Sequence, residues 1–517
     1  MAARPAASWA FAGHRRTIRR LNAGFSGAEF MVGVEEVLEA TSGRLIRGDS
    51  QQRISGVSID SRTLNAGDLF IAIKGDRFDG HDFLTLALDR GACGVMIDVA
   101  RHRIPSPGEE GLWRGRLVIG VGDTLVALQQ LAAYHRRRFK IPIAAITGSN
   151  GKTTTKEMAA TIIARVLRLH RNTGNLNNHI GVPLTLLGLR PGHQAALLEL
   201  GINRPGEMAR LCEIARPGIG LITNIGASHL EGLGSVDGVA REKSELVAAL
   251  PPDGVAILNG DDDPFSFLRG RAPCRVVSFG FGAACDVRIA AWRPQGERQT
   301  VQLELRYRDR GLIPPPRGAA VDGVAVIDVA LSVPGRHNAM NAAAAAAVAA
   351  VLGVDPDAIR AGLAEFVPVA MRSQVMRWRD VAILFDAYNA NPASMRAALT
   401  ALGDWPRAGR RVAVLGDMLE LGEASEAEHR ALGRELARGA IDLLVTVGPQ
   451  AALAADEARD RGLARAAITV CRDPEEAAAA LKRITHGGDV VLIKGSRGMR
   501  LEKLLDGLGR VGAEGSV

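Results

Sequence analysis

Aromatic residues make up only 4% of these 517 residues, and no basic run is interleaved with them. That scarcity disfavours nucleic-acid binding, even with a formal net charge of +8 and a pI near 9.6. No uninterrupted apolar stretch reaches the roughly 20 residues a bilayer crossing requires, so no membrane insertion is expected. Cysteine is scarce too: Cys93, Cys212, Cys274, Cys285 and Cys471 are odd in number, scattered, and never spaced as metal pairs. A reducing cytoplasm without a disulfide framework is the natural expectation. The N-terminal segment lacks acid: Arg4, Arg15, Arg16, Arg19 and Arg20 all precede the first acidic residue, Glu29. It superficially resembles a transit peptide, but no apolar stretch in it is long enough for a secretory signal. Residues 1–30 are expected to be a disordered extension or the product of a start assigned too early.

What is present is ordinary for a soluble globular protein: 47% hydrophobic and 23% charged residues, and a length that suggests about three domains. Residues 31–121 carry short apolar runs (Leu69 to Ile73, Gly94 to Ile97, Leu117 to Val121) between polar turns, with a Pro/Gly loop at Pro105 to Gly111. Residues 122–367 add strand candidates at Ile143 to Ile146, Ala195 to Leu200, Leu221 to Ile225, Val255 to Leu258 and Val276 to Phe279. Helical segments between several of them argue for a mostly parallel sheet wrapped by helices. Segments 286–306 and 324–333 alternate apolar and polar residues around Pro314-Pro315-Pro316, which predicts a small antiparallel appendage. Residues 368–517 repeat the strand–helix alternation, with strands at Val381 to Phe385, Val412 to Leu415, Leu443 to Val447 and Val490 to Ile493. The fold class expected is therefore α/β in three domains. Its centre is a P-loop-type sheet and its C-terminal part a Rossmann-like doubly wound unit, with ligands beyond the carboxyl ends of the strands.

The most informative stretch is Thr147-Gly-Ser-Asn-Gly-Lys-Thr-Thr154. A buried strand, a glycine turn, then a lysine and a hydroxyl opening a helix make a phosphate cradle. Backbone N–H groups approach phosphate oxygens, Lys152 neutralises them, the Thr153 hydroxyl suits Mg²⁺, and the helix dipole adds to the field. The usual loop has a further glycine where Ile146 stands, so this turn is the shorter Gly-x-x-Gly-Lys-Thr.

Glu199 ends a strand candidate, where a carboxylate is well placed for Mg²⁺. His229 ends the next, in Asn224-Ile-Gly-Ala-Ser-His229; alone it is more often structural than a ligand, but beside Glu199 and the phosphate loop it favours ligation. Lys243, by itself, reads as a residue on a solvated helix face. The asparagine-rich Asn172 to Pro183 is too polar for a core and reads equally as a plain loop.

Taken together the motifs resemble those of the Mur ligases, ATP-dependent amide-forming enzymes of peptidoglycan precursor synthesis. The resemblance spans residues 31 to about 510. Besides the phosphate loop it rests on Gly174-Asn-Leu-Asn-Asn178, Glu199-Leu-Gly201, His229-Leu-Glu-Gly232, His337-Asn-Ala-Met-Asn341, Asp386-Ala-Tyr-Asn-Ala-Asn-Pro392, Gly416-Asp-Met-Leu-Glu-Leu-Gly422 and Lys494-Gly-Ser-Arg497. Asn389 and Asn391 fit the subgroup that adds D-Ala-D-Ala to a UDP-N-acetylmuramoyl-tripeptide, since related ligases carry a histidine in this segment. No Asp-Asn-Pro-Arg signature of diaminopimelate recognition occurs.

The resemblance implies ATP, two Mg²⁺ ions, a CO₂-derived carbamate on Lys243, and a cytoplasmic monomer. Lys152 would hold the β- and γ-phosphates in a cradle of Thr147, Gly148, Ser149, Asn150, Gly151, Thr153 and Thr154. Thr153 and Glu199 would bind one ion; Glu199, His229 and carbamylated Lys243 would bind or position the other. Asn341 would contact adenine, with Arg372 and Asp386 on the phosphates and ribose. Ser58, Ser61, Arg62, Lys74, Asp79 and His81 would take the UDP end. Asn177 and Asn178 would face the muramoyl-peptide, with Asn389, Asn391, Lys494 and Arg497 also on the substrate side. Three alternatives stay open: a Mur ligase adding a single amino acid, a nucleotide-binding relative that has lost ligation, and a plain P-loop NTPase that hydrolyses ATP without an acceptor.

Overall fold

The computed structural model describes residues 32–102, 113–307, 323–406, 408–439, 441–509 and 511–513. The expectations for residues 1–30, for the Pro105–Gly111 loop and for the Pro314–Pro316 turn lie outside the described residues. Cα packing divides the chain into two compact units. One comprises residues up to 141 with 170–200 and 210–216; the other comprises 142–169, 201–209 and 217 onward.

The first unit is built on a five-stranded sheet. Its order is Arg44–Arg47, Leu117–Val121, Gly94–Asp98, Asp68–Ile71, Gly56–Ser58. Four strands are parallel and Arg44–Arg47 lies antiparallel on the edge. Gly94–Asp98 and Leu117–Val121 are buried at every position, which explains their uninterrupted apolar sequences: a parallel strand covered on both faces has no solvent side to alternate with. Helix Thr124–Arg137 starts at Asp123, whose carboxylate accepts the N–H groups of Leu125 and Val126, and ends on Arg136 and Arg137, cations suited to the negative end of the dipole.

In the second unit one sheet runs Gly323–Leu331, Arg298–Tyr307, Val287–Gln295, Arg275–Gly280, Val255–Asn259, Ile219–Ile222, Ile143–Thr147. It is parallel from Ile143–Thr147 to Val287–Gln295 and antiparallel beyond, as the alternating pattern predicts. The first hairpin closes at Gly296 and Glu297. Strand Ile219–Ile222 stops three residues earlier than the expected run, and the side chains of Thr223 and Asn224 just beyond it donate to the Asn150 carbonyl of the phosphate loop. Helix Arg336–Val351 packs on helix Lys152–Ile163 and on the sheet, and alanine from Ala342 to Ala347 permits that close approach.

The C-terminal sheet runs Ile468–Cys471, Leu443–Val447, Arg411–Gly416, Val490–Lys494, Val381–Asp386, Gln374–Trp378, Gly512–Ala513. Its first five strands are parallel, with apolar cores on both faces. Strands Gln374–Trp378, Ile468–Cys471 and Gly512–Ala513, and helix Pro449–Asp460, are not announced by apolar runs. Each strand is short and half-exposed or lies at a sheet edge, so the long apolar signature is missing. The architecture is three α/β domains with mostly parallel sheets flanked by helices. Among the described residues no helix is long and apolar enough to cross a membrane, and all five cysteines are unbridged.

Candidate active site

The phosphate loop leaves strand Ile143–Thr147 and enters helix Lys152–Ile163 through two glycines that no other residue could replace. Gly148 has φ +146°, and a Cβ there would lie 1.9 Å from Thr223 Oγ1. Gly151 has φ +82°, and its Cβ would lie 2.2 Å from Asn341 Oδ1. Lys152 Nζ donates to the carbonyls of Gly148 (2.6 Å) and Ser149 (3.3 Å), so the ammonium is held against its own loop. Thr153 and Thr154 are buried at the helix start.

The loop is gripped from two sides. Asn224 pairs with the Asn150 main chain in both directions: Asn150 N–H donates to Oδ1 (3.0 Å), and Nδ2 donates to the Asn150 carbonyl (3.1 Å). Ser228 Oγ donates to Ser149 Oγ (3.0 Å), which in turn accepts the Gly226 N–H (2.9 Å). The segment that carries His229 is thereby packed on the loop. From the C-terminal domain, Asn391 Nδ2 donates to Asn150 Oδ1 at 2.9 Å. Asn391 also begins helix Pro392–Gly403, its Oδ1 accepting the Ser394 N–H.

Lys243 corrects the solvated-face reading: it is 1% exposed, inside helix Val236–Ala248. Burial drives its ammonium well below the usual lysine range, the charge of Lys152 pushes it further down, and Glu242 opposes both. Glu242 is already committed to the N–H groups of Gly206 and Met208. His229 has φ +52°, and its Nδ1 lies 3.0 Å from Glu420 Oε2. Asn341 packs behind the loop: its Oδ1 accepts from Thr155 Oγ1 (3.3 Å) and its Nδ2 donates to Asn338 (3.0 Å).

In the C-terminal domain Asp386 and buried Lys494 form an ion pair at 2.7 Å, and Lys494 also donates to the Asn389 carbonyl (3.0 Å). Burial alone would raise the Asp386 carboxyl, but Lys494, with His337 and the Ser373 N–H, holds it below the ordinary carboxylate range. The Arg372 guanidinium stacks over Tyr388 at 3.9 Å. Asn389 Oδ1 accepts the Ala390 N–H, and Arg497 pairs with Glu502 at 2.7 Å.

The first unit holds the rest. Glu199, buried at its strand's end, accepts from Asn177 Nδ2 at 2.8 Å. Asn172, a residue the sequence does not single out, brackets the Glu199 backbone with both ends of its amide. Asn178 Oδ1 accepts the N–H groups of Ile180 and Gly181 at the start of helix Gly181–Leu187. His81 Nε2 accepts the Asp98 N–H (3.0 Å), so Nδ1 carries the hydrogen and donates to Asp79 Oδ1 (2.6 Å). Ser58 and Arg62 both engage Asp60, Ser61 is buried with its carbonyl accepting from Arg90, and Lys74 is exposed.

Three family descriptions match the chain in order: "Mur ligase family, catalytic domain" over residues 53–136, "Mur ligase middle domain" over 146–349, and "Mur ligase, glutamate ligase domain" over 371–497. A UDP-N-acetylmuramoyl-tripeptide–D-alanyl-D-alanine ligase of Bacillus subtilis is 34% identical over 479 residues, covering 92% of this chain and 98% of its own. The chain belongs to the Mur ligase family.

An Escherichia coli relative of the same description is 38% identical over 398 residues, 77% of this Mur ligase and 82% of its own length. A crystal structure of MurF from Acinetobacter baumannii superposes with a TM-score of 0.81 at 33% identity, covering 93% of this Mur ligase and 99% of that chain. Asn224, Ser228 and Glu420 escaped assignment as site residues although each lies inside a motif quoted above. The signal was there, but what each touches depends on a second loop far away in sequence.

Proposed function

We propose that this Mur ligase joins D-alanyl-D-alanine to UDP-N-acetylmuramoyl-tripeptide at the expense of ATP. The observation that carries this reading is the phosphate loop with Lys152, clamped by Asn224 and Asn391, in a chain that aligns over 92% of its length with a ligase of that description. Residues 31–121 would take the UDP-sugar, 122–367 the ATP, and 368–517 the incoming dipeptide. The terminal carboxylate of the tripeptide attacks the γ-phosphorus, ADP departs, and the amine of the dipeptide then attacks the acyl carbon and expels phosphate, losing a proton. Lys152 offsets negative charge on the transferring phosphoryl group, and the loop N–H groups hold it in line.

Thr153, Glu199, His229 and Lys243 would hold divalent cations, which when bound supply charge neutralisation between phosphate oxygens and carboxylate. Among the described residues no three His, Cys, Asp or Glu side chains form a ready metal cage. Lys243 suits the carbamate modification, because burial and the nearby Lys152 charge disfavour its ammonium form. The Nζ lone pair adds to the carbon of CO₂ and a proton leaves, giving an anionic oxygen ligand where an ammonium would repel the ion.

Arg372, stacked on Tyr388, and Asp386 fit the nucleotide's phosphates and ribose, and Asn341 the adenine side. Asn177, Asn178, Asn389, Asn391, Lys494 and Arg497 would line the peptide path. At the UDP end the exposed cations Arg62 and Lys74 fit a diphosphate, whereas His81, with both ring nitrogens occupied, shapes the loop together with Asp79. Ser58 and Ser61 would complete that end. The reaction is assigned to the cytoplasm and to a monomer.

The deciding assay supplies purified protein with ATP, UDP-N-acetylmuramoyl-tripeptide and D-Ala-D-Ala. The expected product is heavier than the acceptor by the dipeptide less water. Ligation of a single amino acid to the dipeptide precursor, with none of this product, would overturn the assignment.

A further inference from the structure

The motif Gly416 to Gly422 has no role in the reaction described above, yet the structure spends many buried contacts on its shape. Asp417 accepts the Ala451 N–H (2.7 Å), and its carbonyl accepts the Ser496 N–H (3.1 Å). Met418 N–H donates to His429 Nε2 (3.0 Å), a fully buried ring whose Nδ1 donates to the Ser425 carbonyl (2.7 Å). Leu419 N–H donates to Ser496 Oγ (2.9 Å). Three consecutive residues are thus fixed by two helices and a loop of the C-terminal domain. The next, Glu420, stands in the left-handed region at φ +64° with a mostly exposed side chain. A rigid loop that ends on a strained, outward glutamate is presenting that carboxylate to something.

Its partner is His229, at 3.0 Å through Nδ1. His229 is itself left-handed at φ +52°, so both residues of the pair hold backbone conformations that a side chain disfavours. The two loops touch again where Gly422 approaches Glu231. We infer that Glu420 is a positioning residue for His229: its carboxylate accepts the Nδ1 hydrogen, fixes the tautomer, and turns the bare Nε2 lone pair outward as a donor for a divalent cation. This rests on the reading of His229 as a cation-binding residue. A carboxylate behind a histidine is the usual way of fixing which nitrogen binds metal and how the ring is oriented. Because the carboxylate comes from the C-terminal domain and the imidazole from the middle one, Glu420 holds His229 in its cation-binding form only while those two domains are together.

The test uses the full chain with ¹⁵N-labelled histidine and no nucleotide, the His229 signal being assigned by its loss in His229→Gln. Wild type should show His229 protonated at Nδ1. Glu420→Asn, which suits the left-handed backbone but is too short to reach, and Glu420→Ala should both lose that preference. Glu420→Gln keeps an acceptor oxygen and should retain it. In parallel, Mn²⁺ titrated into the complex with a non-hydrolysable ATP analogue should bind about 10–100-fold more weakly to the Asn and Ala variants. The affinity of the analogue without Mn²⁺ should stay as in wild type. An unchanged tautomer or unchanged Mn²⁺ affinity in both variants would overturn the inference. His229→Gln separates the two layers: wild-type Mn²⁺ affinity in that variant would remove His229 as a ligand, while the tautomer result still reports on Glu420.

Discussion

Asn391 Nδ2 donates to Asn150 Oδ1 at 2.9 Å, so the residue that opens a helix of the C-terminal domain also holds the tip of the phosphate loop. With Glu420 on His229, it makes a second polar link between the C-terminal and middle domains beside the proposed ATP site.

The two jobs of Asn391 separate by substitution. Asn391→Ser keeps a cap for the Ser394 N–H but is too short for Asn150, whereas Asn391→Ala loses both. The alanine variant should lose about 1 kcal/mol of stability, the serine variant almost none. Both should lower kcat/KM by roughly tenfold, the worth of about one hydrogen bond. Equal melting temperatures for all three proteins would contradict the capping role, and full activity of Asn391→Ser the tether.

Lys152→Ala should cut turnover by orders of magnitude with the far-UV spectrum unchanged; its ammonium donates to two carbonyls of its own loop, Gly148 and Ser149. It should also let the Lys243 amine titrate higher, since the Lys152 charge is one of the causes that depress it. Near-normal ligation by this variant would remove the cradle assignment.

Lys243→Ala should be inactive, and a short-chain carboxylic acid such as acetate should restore part of the turnover by supplying the missing oxygen ligand. A fully active alanine variant would eliminate the carbamate.

The first compact unit should be sensitive to mild acid. Burial pushes His135 and His170 down to about 4, from about 6.5 in an unfolded chain. A histidine with a depressed folded-state value binds fewer protons folded than unfolded, so its contribution is full above pH 6.5 and is lost as pH falls toward 4. Each should cost up to about 1.4 kcal/mol per pH unit across that window. Hydrogen exchange of amides in residues 32–137 between pH 7 and 5 reads this, and His135→Gln and His170→Gln should flatten the slope. A pH-independent protection would refute it.

The sequence by itself determined the elements that need only near neighbours. The apolar run at Ile143 to Ile146, the two obligatory glycines and Lys152 announce a strand, a cradle and a helix N-terminus, because the steric and dipolar demands of that unit are local. The parallel core strands of all three sheets were legible for the same reason: residues buried on both faces cannot alternate with polar ones. Short edge strands such as Gln374–Trp378 were not, since half-exposed segments carry no such signature. Only the tertiary structure decided what the polar residues do. Lys243 sits in a helix whose polar spacing suits a solvated face, and its burial comes from the elements packed around it. Asn224, Asn391 and Glu420 each gain their meaning from a partner 74, 241 or 191 residues away. A hydrogen bond of that span leaves no trace in spacing or periodicity, because chain folding alone brings its two ends together.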